Sequence, residues 1–243
     1  LIAEYILREK KANGTLPANG ALVETIVTTD MAKAIAKAYG VKLIEVLTGF
    51  KYIGEQIKFF EQQNSYEYVF GLEESYGCLA GTYARDKDAC VAVMMLCEVA
   101  AWCKSNGITL WDDMLSLYGK YGYYKEGLET MTLKGMDGAE KIQSMMNEMR
   151  NNPPKKIGAW DVLALRDYKK DTRTDMTSGE VTPTGLPESN VLYYELSNNA
   201  WCCVRPSGTE PKIKFYVGVK GDTLDGADQM LEELKAEVLK HFE

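Results

Sequence analysis

Residues 201–219 read Trp-Cys-Cys-Val-Arg-Pro-Ser-Gly-Thr-Glu-Pro-Lys-Ile-Lys-Phe-Tyr-Val-Gly-Val. A strand enters, a Pro-Ser-Gly turn reverses it, and a second strand leaves. No helix separates the two strands, so they pair antiparallel. The same grammar extends outward. Extended stretches are predicted at 157–168 and 191–196, and a polar loop rich in Thr, Ser, Gly and Pro at 171–190. A helix is predicted over 139–150, ended by Asn151-Asn152-Pro153-Pro154. A second covers 223–242, with Leu231, Leu234 and Val238 at helical spacing. Strands that follow one another without crossover helices imply an antiparallel sheet with helices on one face.

Upstream of about Gly135 the rhythm differs. Residues 1–12 carry Leu1, Ile2, Tyr5 and Ile6 on a helical pattern, punctuated by Gly14 and Pro17. A strand at 22–28 leads to Thr29 or Asp30, either of which can cap a helix running to Tyr39, where Gly40 stops it. A strand at 41–47, a helix at 52–62 and a strand at 66–70 follow. Strands alternating with helices imply parallel pairing. Residues 87–105 are apolar nearly all round, which predicts a buried helix. Asn106-Gly107 ends it, Thr109 caps another through Tyr121, and 123–133 is a looser extended segment. The expected fold is therefore α/β over 1–134, three-layered with a mixed, largely parallel sheet. An α+β domain over 135–243 follows, with an antiparallel sheet and helices on one face.

Composition narrows the function classes. Of the 243 residues, 46% are hydrophobic and 26% charged, which suits a packed core and excludes global disorder. The net charge of −7 argues against a nucleic-acid partner, which would select a basic stripe. It leaves room for a local basic pocket. The six cysteines form no Cys-x-x-Cys pair and His241 is the only histidine, so zinc ligands are scarce. Cysteines in apolar runs, such as Cys90 and Cys97, are expected to be buried reduced thiols, which suits a cytoplasmic setting. No run reaches membrane-helix length and no signal peptide is visible. The chain starts on Leu1-Ile2-Ala3, which reads as the middle of a helix, so residues upstream are expected to have been removed.

Two loops carry chemistry. In the first, Arg205 offers a planar fork of donors matched to phosphate. Ser207 and Thr209 add hydroxyls, and Gly208 admits close approach of an anion to the backbone. Pro206 restrains the turn, and Lys212 and Lys214, two apart on a strand, share a face. The second loop, Gly71-Leu72-Glu73-Glu74-Ser75-Tyr76-Gly77, follows a strand. A carboxylate is acceptor-only, so Glu73 with Ser75 suits adjacent sugar hydroxyls. Read on its own residues, the segment better suits a helix-entry turn with a solvated glutamate pair. Thr48-Gly49-Phe50-Lys51 also follows a strand, where ligands of open α/β sheets bind. Lys87, within Arg85-Asp86-Lys87-Asp88, reads either as solvated or as a ligand contact.

Together these motifs resemble the α-D-phosphohexomutase superfamily of phosphoglucomutases and phosphomannomutases. The loop at 71–77 resembles the sugar-reading loop of its domain 3, and 205–209 the phosphate loop of its domain 4. The Thr-Gly-Phe-Lys-Tyr-Ile-Gly run at 48–54 is similar to the segment after the second strand of domain 3. The resemblance spans the whole chain. It implies that Glu73 and Ser75 hold ring hydroxyls and that Thr48 and Lys87 contact substrate. It further implies that Arg205, Ser207, Gly208 and Thr209 hold the non-reacting phosphate, with Lys214 as a further basic contact. The implied reaction interconverts hexose 1-phosphate and hexose 6-phosphate through a phosphoserine and a hexose bisphosphate, with Mg2+. Alternatives within the same resemblance are phosphomannomutase or phosphopentomutase activity; a non-catalytic sugar-phosphate binding module is the alternative outside it. The family's phosphoserine loop and aspartate-rich Mg2+ loop have no counterpart in this sequence. The expected partners are therefore a hexose phosphate and the missing N-terminal domains, with no nucleic acid and no membrane.

Overall fold

The computed structural model describes residues 1–133, 137–208 and 210–242. The chain divides into two compact units, Leu1–Gly122 and Tyr123–Glu243.

The first unit is a mixed α/β domain. Its strands are β1 (Gly20–Thr25), β2 (Lys42–Val46), β3 (Glu67–Leu72) and β4 (Cys78–Ala80). They lie in the order β2-β1-β3-β4, with β1 parallel to both β2 and β3 and β4 antiparallel to β3. The helices are α1 (Ile2–Ala12), α2 (Asp30–Tyr39), α3 (Phe50–Gln63), α4 (Ala89–Ser105) and α5 (Leu110–Tyr121). One face of the sheet packs on α3, where Ala21, Val23, Val46, Tyr68 and Leu79 bury Phe50, Ile53, Ile57 and Phe60. The caps act locally. The Met31 amide donates to Thr29 Oγ1, Gly40 closes α2 with φ 69°, and Thr109 with Asp112 forms a reciprocal capping box at α5.

One strand in this unit was not expected, and one expectation fails. The three-residue β4 has no sequence signal of its own, because its pairing to Phe70–Leu72 defines it. Helix α4 is not buried: of its seventeen residues only Val99 and Cys103 are. An all-round apolar pattern states what a helix would gain by burial, and the gain is realised only where neighbouring elements pack.

The second unit is built on an antiparallel sheet. Its strands are β5 (Tyr123–Thr132), β6 (Lys156–Ile157), β7 (Trp160–Asp167), β8 (Thr172–Asp175), β9 (Val181–Thr182), β10 (Leu192–Leu196), β11 (Trp201–Pro206) and β12 (Lys212–Gly221). The order is β5-β12-β11-β10-β7-β8-β9, with β6 paired to β7. Helices α6 (Gly138–Asn151) and α7 (Leu224–Phe242) contribute Ile142, Met146, Met149, Leu234 and Val238 to one core. That core takes Leu192, Tyr194, Cys202, Val204, Ile213, Phe215 and Val217 from a single face of the sheet. The boundary expected near Gly135 therefore shifts. Segment 123–132 is a full edge strand paired along β12, so it belongs to the second unit. Gly135 itself lies outside the described residues. The polar loop at 171–190 also holds β8 and β9, too short to register in composition.

Among the described residues, no single helix is long and apolar enough to cross a membrane. No group of three or more His, Cys, Asp or Glu side chains among them could hold a metal ion.

Candidate functional site

In the first unit the predicted residues stand at the carboxyl ends of parallel strands, the ligand-binding edge of an open α/β sheet. Glu73 follows β3, Thr48 follows β2, and Thr25 closes β1. The Glu73 amide donates to the Gly77 carbonyl at 2.9 Å, so residues 73–77 form a tight reversal into β4 rather than a helix entry. Tyr76 takes φ 67° there and is fully in solvent.

The two glutamates diverge. Glu74 accepts a hydrogen bond from Thr25 Oγ1 at 3.1 Å, and Thr25 in turn meets Thr28 Oγ1 at 2.9 Å. Glu74 is thus tied back to the end of β1. The Glu73 side chain is nearly enclosed, with its Oε1 3.8 Å from Lys87 Nζ. Ser75 hydrogen-bonds to it. Burial pushes the Glu73 carboxyl above the ordinary range, the Lys87 ammonium opposes that shift, and the neighbouring Glu74 reinforces it.

Lys87 is held from three sides. Its own backbone precedes the α4 cap, where Asp88 accepts from the Cys90 and Val91 amides. Its ammonium lies 3.5 Å from Asp86 and 5.8 Å from the centre of the Phe50 ring. The Thr48-Gly49 turn delivers that ring, because Gly49 adopts φ 118° at the start of α3. Glu73, Ser75 and Lys87 therefore form one cluster. Thr48 sits in the neighbouring turn. Sequence reasoning missed Gly77. A Cβ placed there would come within 2.8 Å of Lys87 Cδ and 2.9 Å of the Glu73 carboxyl carbon. Only a glycine lets both side chains close over the loop.

In the second unit, β11 and β12 carry the anion loop. Arg205 stands directly opposite Lys214, on the face away from the core-forming pair Val204 and Phe215. The Ser207 amide donates to the Lys212 carbonyl at 2.7 Å, and the Lys212 amide donates to the Glu210 carbonyl at 2.7 Å. The Glu210 amide donates to Ser207 Oγ at 3.3 Å. These bonds fix the turn from inside. Lys212, which shares the strand face with Lys214, is paired to Glu210 at 3.0 Å. Arg205 and Lys214 have no ion-pair partner among the described residues. A Cβ on Gly208 would meet nothing within 4 Å, so the turn is open on its outer side. Thr209 lies outside the described residues.

The comparisons follow the same division. Residues 1–121, about half of the chain, match the model of the phosphoglucomutase/phosphomannomutase alpha/beta/alpha domain III. A phosphoglucomutase of Staphylococcus epidermidis is 35% identical over 226 residues, which is 93% of this chain. The chain belongs to the phosphoglucomutase/phosphomannomutase family. A phosphoglucomutase of Staphylococcus aureus, strain MRSA252, is 34% identical over 213 residues, 88% of this chain. The chain spans only 40% and 38% of the lengths of these curated relatives. Among solved structures, a phosphoglucomutase/phosphomannomutase family protein from Burkholderia thailandensis aligns with TM-score 0.54 at 11% identity. That match covers 98% of this chain and 41% of the other, and it supports the family fold through both units.

Proposed function

We propose that this chain is the sugar- and phosphate-gripping portion of a phosphoglucomutase, which interconverts hexose 1-phosphate and hexose 6-phosphate. The observation that carries the reading is the open turn between β11 and β12. Two facing cations without carboxylate partners among the described residues flank an accessible glycine there. Such a site suits a dianionic phosphate, with Arg205 donating in a fork and Lys214 supplying point charge. Ser207 offers its hydroxyl and Gly208 its amide, and Thr209 completes the motif.

In the first unit, Glu73 accepts from one or two ring hydroxyls while Ser75 and Lys87 orient its carboxylate. Thr48 contributes a hydroxyl from the adjacent turn. These groups position and hold. Phosphoryl transfer depends chiefly on positioning and charge stabilisation, so a gripping half makes chemical sense. The family's phosphoseryl group and Mg2+ would supply the transfer itself. The described residues offer no cluster suited to the metal. With a hexose bisphosphate, the phosphate loop would hold the group that does not react.

Titration calorimetry of the 243-residue chain with glucose 6-phosphate tests the assignment. Arg205→Ala should lose about 2–5 kcal/mol of binding, the typical cost of truncating one partner of a charged hydrogen-bonded pair. Glu73→Gln should weaken glucose 6-phosphate but leave inorganic phosphate unchanged. Equal affinity of Arg205→Ala and the parent chain would remove the basis of the proposal.

A further inference from the structure

Helix α4 presents an anomaly that the gripping function leaves unused. Glu98 and Lys104 are its only charged residues, yet Val93 is 64% exposed, Met94 53% and Leu96 42%. Cys90 and Cys97 are exposed on the same helix. Helix α5 extends the patch with Trp111, which is 53% exposed, and Leu115. A groove of about 530 Å3 runs beside it, lined by Ala92, Val93, Leu96 and Met114 and reaching Glu73 and Gly77. Contiguous apolar surface on this scale marks an interface.

The occupant follows from length and chemistry. The matching family model is a third domain, and this chain accounts for only 40% of the length of its Staphylococcus epidermidis relative. The apolar, nearly uncharged face suits an intramolecular interface, and such interfaces between domains bury roughly 600–1,500 Å2. We propose that the α4–α5 face is the seat of the polypeptide that precedes domain III in full-length members of the family. That polypeptide would pack beside the Glu73 loop and cover the groove that leads to it. The inference rests on family membership and not on which sugar phosphate is bound.

The two exposed thiols report on the face directly. The test compares maleimide labelling of Cys90 and Cys97, read by mass spectrometry, in two proteins. One is the 243-residue chain. The other is the same chain fused behind the part of the Staphylococcus epidermidis phosphoglucomutase that precedes its match. Labelling should be fast in the chain alone and at least about ten-fold slower in the fusion. Met94→Asp in the fusion should restore fast labelling. Equal rates in the two proteins overturn the proposal. So does slow labelling of the chain alone that grows with its concentration, which would assign the face to a second copy. Protection of the chain alone by phosphatidylglycerol vesicles also overturns it, since α4 and α5 together, bent by 91°, have the composition of a broken membrane span. Mutase activity of the fusion is scored separately. Protected thiols in an inactive fusion uphold the docking face and count against the proposed function; free thiols in an active one do the reverse.

Discussion

At the scale of single residues, the Glu73 carboxyl sets a pH dependence. Its pKa is raised by burial, with Lys87 opposing the shift. The ionised form is the acceptor that sugar hydroxyls need. Sugar-phosphate affinity should therefore fall, as pH drops, at a higher pH than an ordinary glutamate would impose. Lys87→Met removes the opposing cation and should move that acid limb further up. Calorimetry across pH 5–8 reads the displacement, and an unmoved limb would separate Lys87 from Glu73. The sign for stability is opposite. The unfolded carboxyl ionises first, so Glu73's contribution is full below the ordinary carboxylate range and lost as pH rises towards the folded value. That Glu73, Ser75 and Lys87 belong together came from the family resemblance, since each residue read alone also suits a solvated turn. Gly77 was not legible, since its role is to be absent of a side chain at a point where residues 73 and 87 converge.

At the scale of elements, the second unit is locked by a buried ion pair between α6 and β7. Arg150 Nε lies 3.1 and 3.0 Å from the two oxygens of Asp167, and Arg150 also donates to Asn190 Oδ1 at 2.8 Å. Both side chains are buried. Arg150→Met should cost about 3–5 kcal/mol, because the buried Asp167 then keeps only the exposed Lys170 ammonium at 3.9 Å and the Lys169 amide. The double variant Arg150→Met/Asp167→Leu should recover most of that loss. Urea unfolding midpoints check both. Nothing in the sequence singled out this pair, since residues 150 and 167 meet only after α6 packs on the sheet. Thr29, Gly40 and Thr109 were legible for the contrary reason: a cap is complete within four residues. The strands β4, β8 and β9 are too short for periodicity and exist through their partners. Helix α4 shows the limit most plainly, as its apolar residues read identically whether or not anything covers them.

At the scale of the whole molecule, the proposed function gives this chain contacts to sugar and phosphate, and its sequence carries no phosphoserine motif of the family's kind. Purified alone, it should bind sugar phosphate and turn none over. Formation of glucose 6-phosphate from glucose 1-phosphate by this chain, followed in a coupled spectrophotometric assay, would contradict that expectation. The division into an α/β unit and an antiparallel unit was visible in the order of strands and helices. The point of division was not, because β5 follows α5 in sequence but finds its strand partner, β12, much later.

The register of β11 and β12 sets Arg205 against Lys214. Like charges directly across a strand pair repel. A phosphate dianion bound as proposed would turn that repulsion into a shared attraction, so that ligand capture and sheet cohesion would be one event. The proposed grip is in that sense a sprung catch, which should slacken as added salt screens the charges that set the spring.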